Sequence, residues 1–155
     1  MKASLDKILG SFLVVLMTIM VMAVLWQVFS RYVMQSPSSI TEELARYLLI
    51  WIGILGAAYA AGQQQHLSIN LLEEKLEKNK KKKLKIFINL LIIFFGITVL
   101  IIGGSNLVYV NYILGQSSAA LEIPLFVVYL VVPLSGALII FYKINEIMNP
   151  EKYLV

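Results

Sequence analysis

Four long stretches without a charged residue constrain the fold of this chain more than any other feature. An α-helix rises about 1.5 Å per residue, so about 20 residues cross a hydrocarbon core of about 30 Å. Each stretch can form such a helix, and the third is long enough to end near Leu114 and leave a loop. We therefore predict an all-α integral membrane protein with four transmembrane helices. The predicted spans are residues 8–32, 41–62, 86–114 and 123–142.

Composition excludes a soluble domain and several classes of function. Hydrophobic residues make up 59% and charged residues 14% of the 155 residues, and the mean hydropathy is +0.82. A chain of this length and composition has room for one membrane domain, so we expect residues 1–155 to form a single unit. Because the chain has no cysteine, disulfide bonds and thiolate-based catalytic or metal sites are excluded.

The distribution of basic residues indicates a lipid surface as the partner and not nucleic acid. Of the 13 Lys and Arg residues, seven lie between Lys75 and Lys85, beside a predicted span, where anionic lipid headgroups are the expected counter-charge. Lysines also occur near both termini, and cytoplasmic segments are enriched in basic residues. Both termini and the middle connection are therefore predicted to be cytoplasmic. The expected headgroup ligands are Lys80, Lys81, Lys82, Lys83 and Lys85.

The polar connection between the second and third spans has a helical pattern of its own. Ile69, Leu72 and Leu76 recur at helical spacing among charged residues. This pattern predicts a short amphipathic helix, over about residues 68–79, that lies in the cytoplasmic interface. His66, just before it, is expected to donate a hydrogen bond at the interface, because a metal or haem site needs several convergent ligands. No cofactor is predicted.

Three charged residues stand at the start of the second span. Glu42 and Arg46 are four residues apart, so they share one face of a helix and can pair, whereas Glu43 lies one position round, toward Tyr47. Anions are favoured in a first helical turn, so the group could be an ordinary helix start. It could equally be a polar clamp between subunits, and the residues alone leave both interpretations open.

Small residues follow along the same helix. Gly53, Ala57 and Ala61 form one ridge at a spacing of four, and Gly56 with Ala60 forms a second ridge beside it. Small side chains let helices approach closely in lipid. This pattern predicts that the second span is packed against neighbouring helices.

The stretch Gly-Gly-Ser-Asn at residues 103–106 is polar for the interior of a span. It could bend the third helix and expose carbonyl groups to sodium, or it could allow close helix packing with one interhelical hydrogen bond. We favour the packing interpretation, because small and amide residues serve that purpose in membrane helices.

Residues 28–72 together carry a resemblance to a known family. The motif consists of Arg31-Tyr32 at the end of the first span, Glu42-Glu43 with Arg46 at the start of the second, Trp51 before Gly56-Ala57, and His66-Leu67. This region resembles the signature of the small membrane subunit of tripartite ATP-independent periplasmic (TRAP) transporters, the DctQ-like family.

The resemblance implies a non-catalytic subunit, not an enzyme, of a sodium-coupled secondary transporter for organic acids such as sialic acid or C4-dicarboxylates. It implies a location in the bacterial inner membrane. The implied partners are a large membrane subunit, which carries the substrate and ion sites, and a periplasmic substrate-binding protein that the outward loops could help to dock. The residues implied at the subunit interface or in the structural motif are Arg31, Glu42, Glu43, Arg46, Trp51 and His66.

Two other classes of membrane protein remain as alternatives. A small four-helix multidrug exporter that acts as a homodimer relies on a carboxylate within its first helix, and residues 8–30 contain none. A membrane anchor of a redox enzyme normally has histidines within its spans, and His66 is the only histidine of the chain.

Overall fold

The computed structural model describes residues 2–63 and 78–148. Four helical runs are long and apolar enough to cross a membrane: Ser4–Tyr32, Ser39–Gly62, Lys83–Ile113 and Leu125–Met148. The prediction of an all-α membrane protein with four such helices is confirmed. The elements are α1 (Lys2–Tyr32), α2 (Ser39–Gly62), α3 (Lys78–Phe95), a π-helical segment (Gly96–Gly103), α4 (Gly104–Ile113), α5 (Leu125–Tyr129) and α6 (Val131–Met148).

The third span is thus built from α3, the π-helical segment and α4, and the fourth span from α5 and α6. The predicted interfacial helix at residues 68–79 lies outside the described residues except for its last two positions, which begin α3. His66 also lies outside them. The limits of the membrane spans, the orientation and the interfacial helix therefore stay predictions.

The spans lie in a row and not in the order of the sequence. The first packs mainly on the second, the second on the fourth, and the fourth on the third. The first and third spans are therefore the two edges of the row, and most of their large apolar side chains are exposed, as lipid contact requires. Within the described residues, the buried core consists of Leu9, Leu13, Leu16, Leu55, Val131 and Tyr142.

A short turn joins the first two spans. The Ser30 hydroxyl, at the end of α1, accepts a hydrogen bond from the backbone N–H of Ser38 at 3.4 Å. Ser38 in turn caps α2, because its hydroxyl accepts the backbone N–H of Thr41 at 3.4 Å. The turn brings Arg31 and the acidic start of α2 to the same end of the row.

Glycines set the contact between the third and fourth spans. A Cβ atom built on Gly136 would lie 2.7 Å from Cβ of Leu100, and one built on Gly104 would lie 2.8 Å from Val132. Gly96 contacts Ile140 in the same way, at 3.1 Å. These contacts step by four residues in opposite directions along the two spans, so they define one antiparallel register that only small residues permit.

Both spans depart from the regular α-helix along this contact. The π-helical segment runs beside α6, and because a π-helix has more residues per turn, residues four apart stay nearer to one face. The fourth span is interrupted at Leu130, between α5 and α6, three residues before Pro133. Proline has no N–H for the carbonyl group one turn earlier, so an irregularity is expected there.

Candidate functional site

The carboxylate of Glu43 binds the loop that joins the third and fourth spans. Three consecutive backbone N–H groups donate to it, those of Ala119, Ala120 and Leu121, at 3.2, 2.7 and 3.1 Å. Hydrogen bonds from backbone N–H groups to an ionised carboxylate are among the stronger ones in proteins. Glu43 therefore fixes the N-terminal end of α2 to a loop more than 70 residues away in the sequence.

Two side chains complete this carboxylate site. The Tyr47 hydroxyl, on α2, donates to Oε1 of Glu43 at 2.8 Å. The Ser118 hydroxyl, beside the carboxylate, accepts the backbone N–H of Leu121 at 3.2 Å. The loop itself is folded by a left-handed residue, Gly115 with φ of 58°. The backbone N–H of Ser118 donates to the carbonyl oxygen of Ile123 at 2.9 Å. The site is therefore held both from α2 and from within the loop.

A second tether, which joins α2 to the fourth span itself, lies deeper. The indole N–H of Trp51 donates to the carbonyl oxygen of Val128 at 3.0 Å, near the interruption at Leu130. The Trp51 ring also meets the edge of Phe12 from α1, with the ring centroids 6.4 Å apart. An unpaired carbonyl group in hydrocarbon costs several kcal/mol. The indole donor therefore stabilises the fourth span close to its interruption. Trp51 thus joins three spans.

The third contact between α2 and the fourth span is at the opposite end of α2. A Cβ atom built on Gly62 would lie 2.9 Å from the Tyr142 ring. Glu43, Trp51 and Gly62 follow one another along α2, and they contact in turn the loop before the fourth span, Val128 and Tyr142, so the two helices run in parallel. The second span is therefore fixed at three levels, to the fourth span and to the loop that precedes it.

Glu42 and Arg46 lie on a different face of α2. Nη2 of Arg46 is 3.3 Å from Oε1 of Glu42, as their spacing predicts, and the two side chains are 64% and 52% exposed. Arg31 at the end of α1 is exposed as well. These three charges are thus available to a neighbouring protein, whereas Glu43 is turned toward the chain's own loop.

The small residues of α2 are divided between the outside and the inside of the row. A Cβ atom built on Gly53 or on Gly56 would have no neighbouring atom within 4 Å, and Ala57 is exposed. Ala60 is half-buried, whereas Ala61 is buried. Gly53 and Ala57 therefore face away from the other described helices, whereas Ala61 of the same ridge faces inward. The packing partner of Gly53 and Ala57 stays a prediction.

An ionic cluster that the sequence analysis did not identify joins the third and fourth spans near the cytoplasmic end of the predicted topology. Nζ of the buried Lys143 lies 2.9 Å from Oε2 of Glu146, and Nζ of Lys85 lies 3.5 Å from Oε1. The amide of Asn89, also buried, is hydrogen-bonded to Glu146. The signal in the sequence was Lys143 and Glu146, three residues apart on a mostly apolar helix.

The structure describes only some of the lysines that are predicted to bind lipid headgroups. Lys83 is exposed, and Lys85 is half-buried against Glu146; the side chains of residues 80–82 are outside the described part. Residues 2–63 and 78–148 contain no group of three or more His, Asp or Glu side chains that could hold a metal ion.

The sequence is similar to known transporter components. The family model described as "Tripartite ATP-independent periplasmic transporters, DctQ component" matches residues 20–151. The sialic acid TRAP transporter small permease protein SiaQ of Vibrio cholerae is 25% identical over 144 residues, which are 90% of this chain and 79% of that protein.

Two further relatives match over shorter regions. The C4-dicarboxylate TRAP transporter small permease protein DctQ of Rhodobacter capsulatus is 32% identical over 104 residues, 64% of this chain and 44% of that protein. The sialic acid TRAP transporter permease protein SiaT of Haemophilus influenzae is 40% identical over 78 residues, 46% of this chain but only 13% of that longer protein. The family match covers most of the chain, including the tethers at Glu43 and Trp51. The chain therefore belongs to the DctQ family, the small permease subunits of TRAP transporters, which are transporter components and not enzymes.

Proposed function

We propose that this chain is the fixed supporting subunit of a sodium-coupled, binding-protein-dependent TRAP transporter for an organic acid in the bacterial inner membrane. The observation that carries the proposal is that polar side chains of this chain hold its own parts together. Glu43 ties α2 to the loop between the third and fourth spans, and Trp51 and Glu146 each tie one span to another. Ionisable residues of a transport path normally face a cavity, so tethers of this kind favour a supporting role.

The moving parts and the substrate and ion sites are then expected in a large membrane subunit. SiaT supports this arrangement, because the segment similar to this chain is a small part of a longer permease protein. The names of SiaQ and DctQ make sialic acids and C4-dicarboxylates the first substrates to test. A carboxylate-bearing solute is common to both.

The proposed topology has both termini and the middle connection in the cytoplasm. Lysines beside the third span support it, because basic residues are enriched on that side and attract anionic lipid headgroups. The loop that Glu43 binds is then periplasmic. We infer that this loop, together with residues 35–39, contributes to docking of the periplasmic substrate-binding protein.

The proposed contact with the large subunit at the outward end is formed by Glu42, Arg46 and Arg31. Their exposure supports this assignment, because charged side chains that face lipid are costly, whereas a neighbouring protein can supply polar groups to pair with them. Gly53 and Ala57 continue the same side of α2 and allow a partner helix to approach. Arg46→Ala is expected to lower the yield of the complex, whereas Lys7→Ala, an exposed cation at the other end, should leave it unchanged.

Reconstituted uptake tests the function directly. The large permease would be placed in proteoliposomes with and without this chain, the binding protein added outside, and labelled sialic acid or a C4-dicarboxylate supplied under an inward sodium gradient. We expect uptake only when all three proteins and the gradient are present. Full uptake without this chain would contradict the proposed role, and proton-coupled export by this chain alone would support the exporter class instead.

A further inference from the structure

Residues 83–113 of the third span contain three asparagines, which lie in different environments. Asn111 is buried and donates to the carbonyl oxygen of Leu107 at 2.8 Å, and Asn89 is buried against Glu146. Asn106 is exposed, and its side chain makes no hydrogen bond with any residue in the ranges 2–63 and 78–148. The expected interhelical hydrogen bond of the 103–106 stretch is therefore not made within the described part of the chain.

The contacts of neighbouring residues give the depth of Asn106. Gly104, two residues before it, contacts Val132 in the fourth span, and Trp51 bonds to Val128 in the same span. Asn106 therefore lies within about one helical turn of the level of Trp51. Trp51 is inside the uncharged part of α2, residues 47–62. The Asn106 side chain is thus placed beside hydrocarbon and not at a charged boundary.

An amide in hydrocarbon needs a hydrogen-bonding partner. Leaving it unpaired is costly, and amide side chains on membrane helices accordingly bond across helices. Exposed hydroxyls of this chain avoid the cost locally: Thr18 and Thr98 each donate to a carbonyl group four residues earlier, at 2.8 Å. The Asn106 amide has no such bond within residues 2–63 and 78–148, which favours a partner on another protein.

A groove beside Asn106 can receive the side chains of a neighbouring helix. It has a volume of about 380 Å³ and runs between α4 and the fourth span, lined by Ser105, Tyr109, Tyr112, Phe126 and Pro133 among others. Tyr109 and Tyr112 are 61% and 65% exposed. The third span is an edge of the row, so a helix from another protein can reach this groove.

We propose that the outer face of α4, defined by Ser105, Asn106 and Tyr109, is the docking site for a transmembrane helix of the large permease. That helix places a hydroxyl, amide or backbone carbonyl group opposite the Asn106 amide and inserts apolar side chains into the groove. This assignment rests on the proposed function. A large permease is favoured over a second copy because in SiaT the similar segment belongs to one longer permease chain.

The absence of native cysteine makes a crosslinking test clean. Asn106→Cys would carry a photoreactive maleimide in membranes that also contain the large permease. Val14→Cys is the matched control: Val14 is 64% exposed on the opposite edge of the row, and its neighbour Phe12 contacts Trp51, so the depth is similar. We expect an adduct between position 106 and the large permease and at least about fivefold less from position 14.

A second variant measures the hydrogen bond itself. Asn106→Leu removes the amide and keeps the size, so we expect about fivefold weaker association with the large permease in mild detergent. The thermal midpoint of the isolated chain should be unchanged, because the amide has no partner in the described part of the chain.

The outcomes separate this inference from the proposed function. If the wild-type chain co-purifies with the large permease, but position 106 is crosslinked only to lipid or to a second copy, the assigned face is wrong. Unchanged association of Asn106→Leu would also overturn it. If the wild-type chain does not associate with a large permease at all, the proposed function fails, and the docking assignment fails with it.

Discussion

Glu42 and Glu43 are neighbours in the sequence and have different surroundings. Glu42 pairs with Arg46 on an exposed face, and an exposed pair of this kind contributes little to stability. Glu43 accepts hydrogen bonds from three backbone N–H groups and a tyrosine hydroxyl. At the residue scale, one glutamate is therefore a tether of the fold and the other is free to contact a partner.

Glu43→Gln is expected to destabilise the isolated chain, and Glu42→Gln is its matched control. The amide has one acceptor oxygen and no charge for three backbone donors, so we expect a lower thermal midpoint for Glu43→Gln than for Glu42→Gln. Thermal unfolding in detergent, followed by tryptophan fluorescence, measures the difference. Equal destabilisation by the two variants would contradict the assignment of Glu43 as the tether.

A second residue-scale prediction concerns the buried ionic cluster. Glu146→Gln leaves the Lys143 ammonium group buried without a carboxylate, which typically costs about 3–5 kcal/mol. Combining it with Lys143→Met removes that charge, so the double variant should be more stable than Glu146→Gln alone. A double variant as unstable as the sum of the two single changes would show that the pair is not coupled.

The sequence predicts the local part of these sites and not the distant part. Spacing of four residues correctly predicted that Glu42 and Arg46 pair, and it placed Glu43 next to Tyr47. The loop that binds Glu43 is 76 to 78 residues away, and its donors are backbone groups, which leave no mark on residue identity. The burial of Glu146 was missed because a charge near a helix end suggests exposure.

At the scale of elements, the glycine contacts fix how the third span lies on the fourth. Long apolar runs were sufficient to predict four helices of spanning length. The π-helical segment was not predictable in this way, because residues 96–103 contain no proline or charge and the distortion follows from packing against α6. The sequence alone does not separate Gly96, Gly104 and Gly136 from the other glycines of the chain. Only the register of the two spans shows that these three lie at the close contacts.

Gly136→Ala tests that register, with Gly53→Ala as the control. A methyl group at Gly136 meets Cβ of Leu100 at 2.7 Å, whereas the same group at Gly53 meets open space. We expect Gly136→Ala to cost about 1–3 kcal/mol in the isolated chain from overpacking. Gly53→Ala should be neutral or slightly stabilising, since alanine favours a helix. The opposite ranking of thermal midpoints would contradict the register.

At the scale of the whole molecule, the row of spans has one outward end and one cytoplasmic end in the proposed topology. Two cysteine variants test this topology: Ser117→Cys in the loop bound by Glu43, and Lys83→Cys at the start of the third span. Both side chains are exposed, and the chain has no native cysteine. A membrane-impermeant maleimide added to intact spheroplasts is expected to label position 117, and position 83 only after lysis. The reverse labelling would invert the topology.

In the proposed function, this chain works as a fixed part of a larger permease. Co-purification tests this directly: the tagged chain is extracted from native membranes in mild detergent, and its companions are identified and quantified by mass spectrometry. We expect a large TRAP permease in stoichiometric amount. Recovery of the chain as a stable homodimer without that permease would contradict the proposed function and favour the small-exporter class.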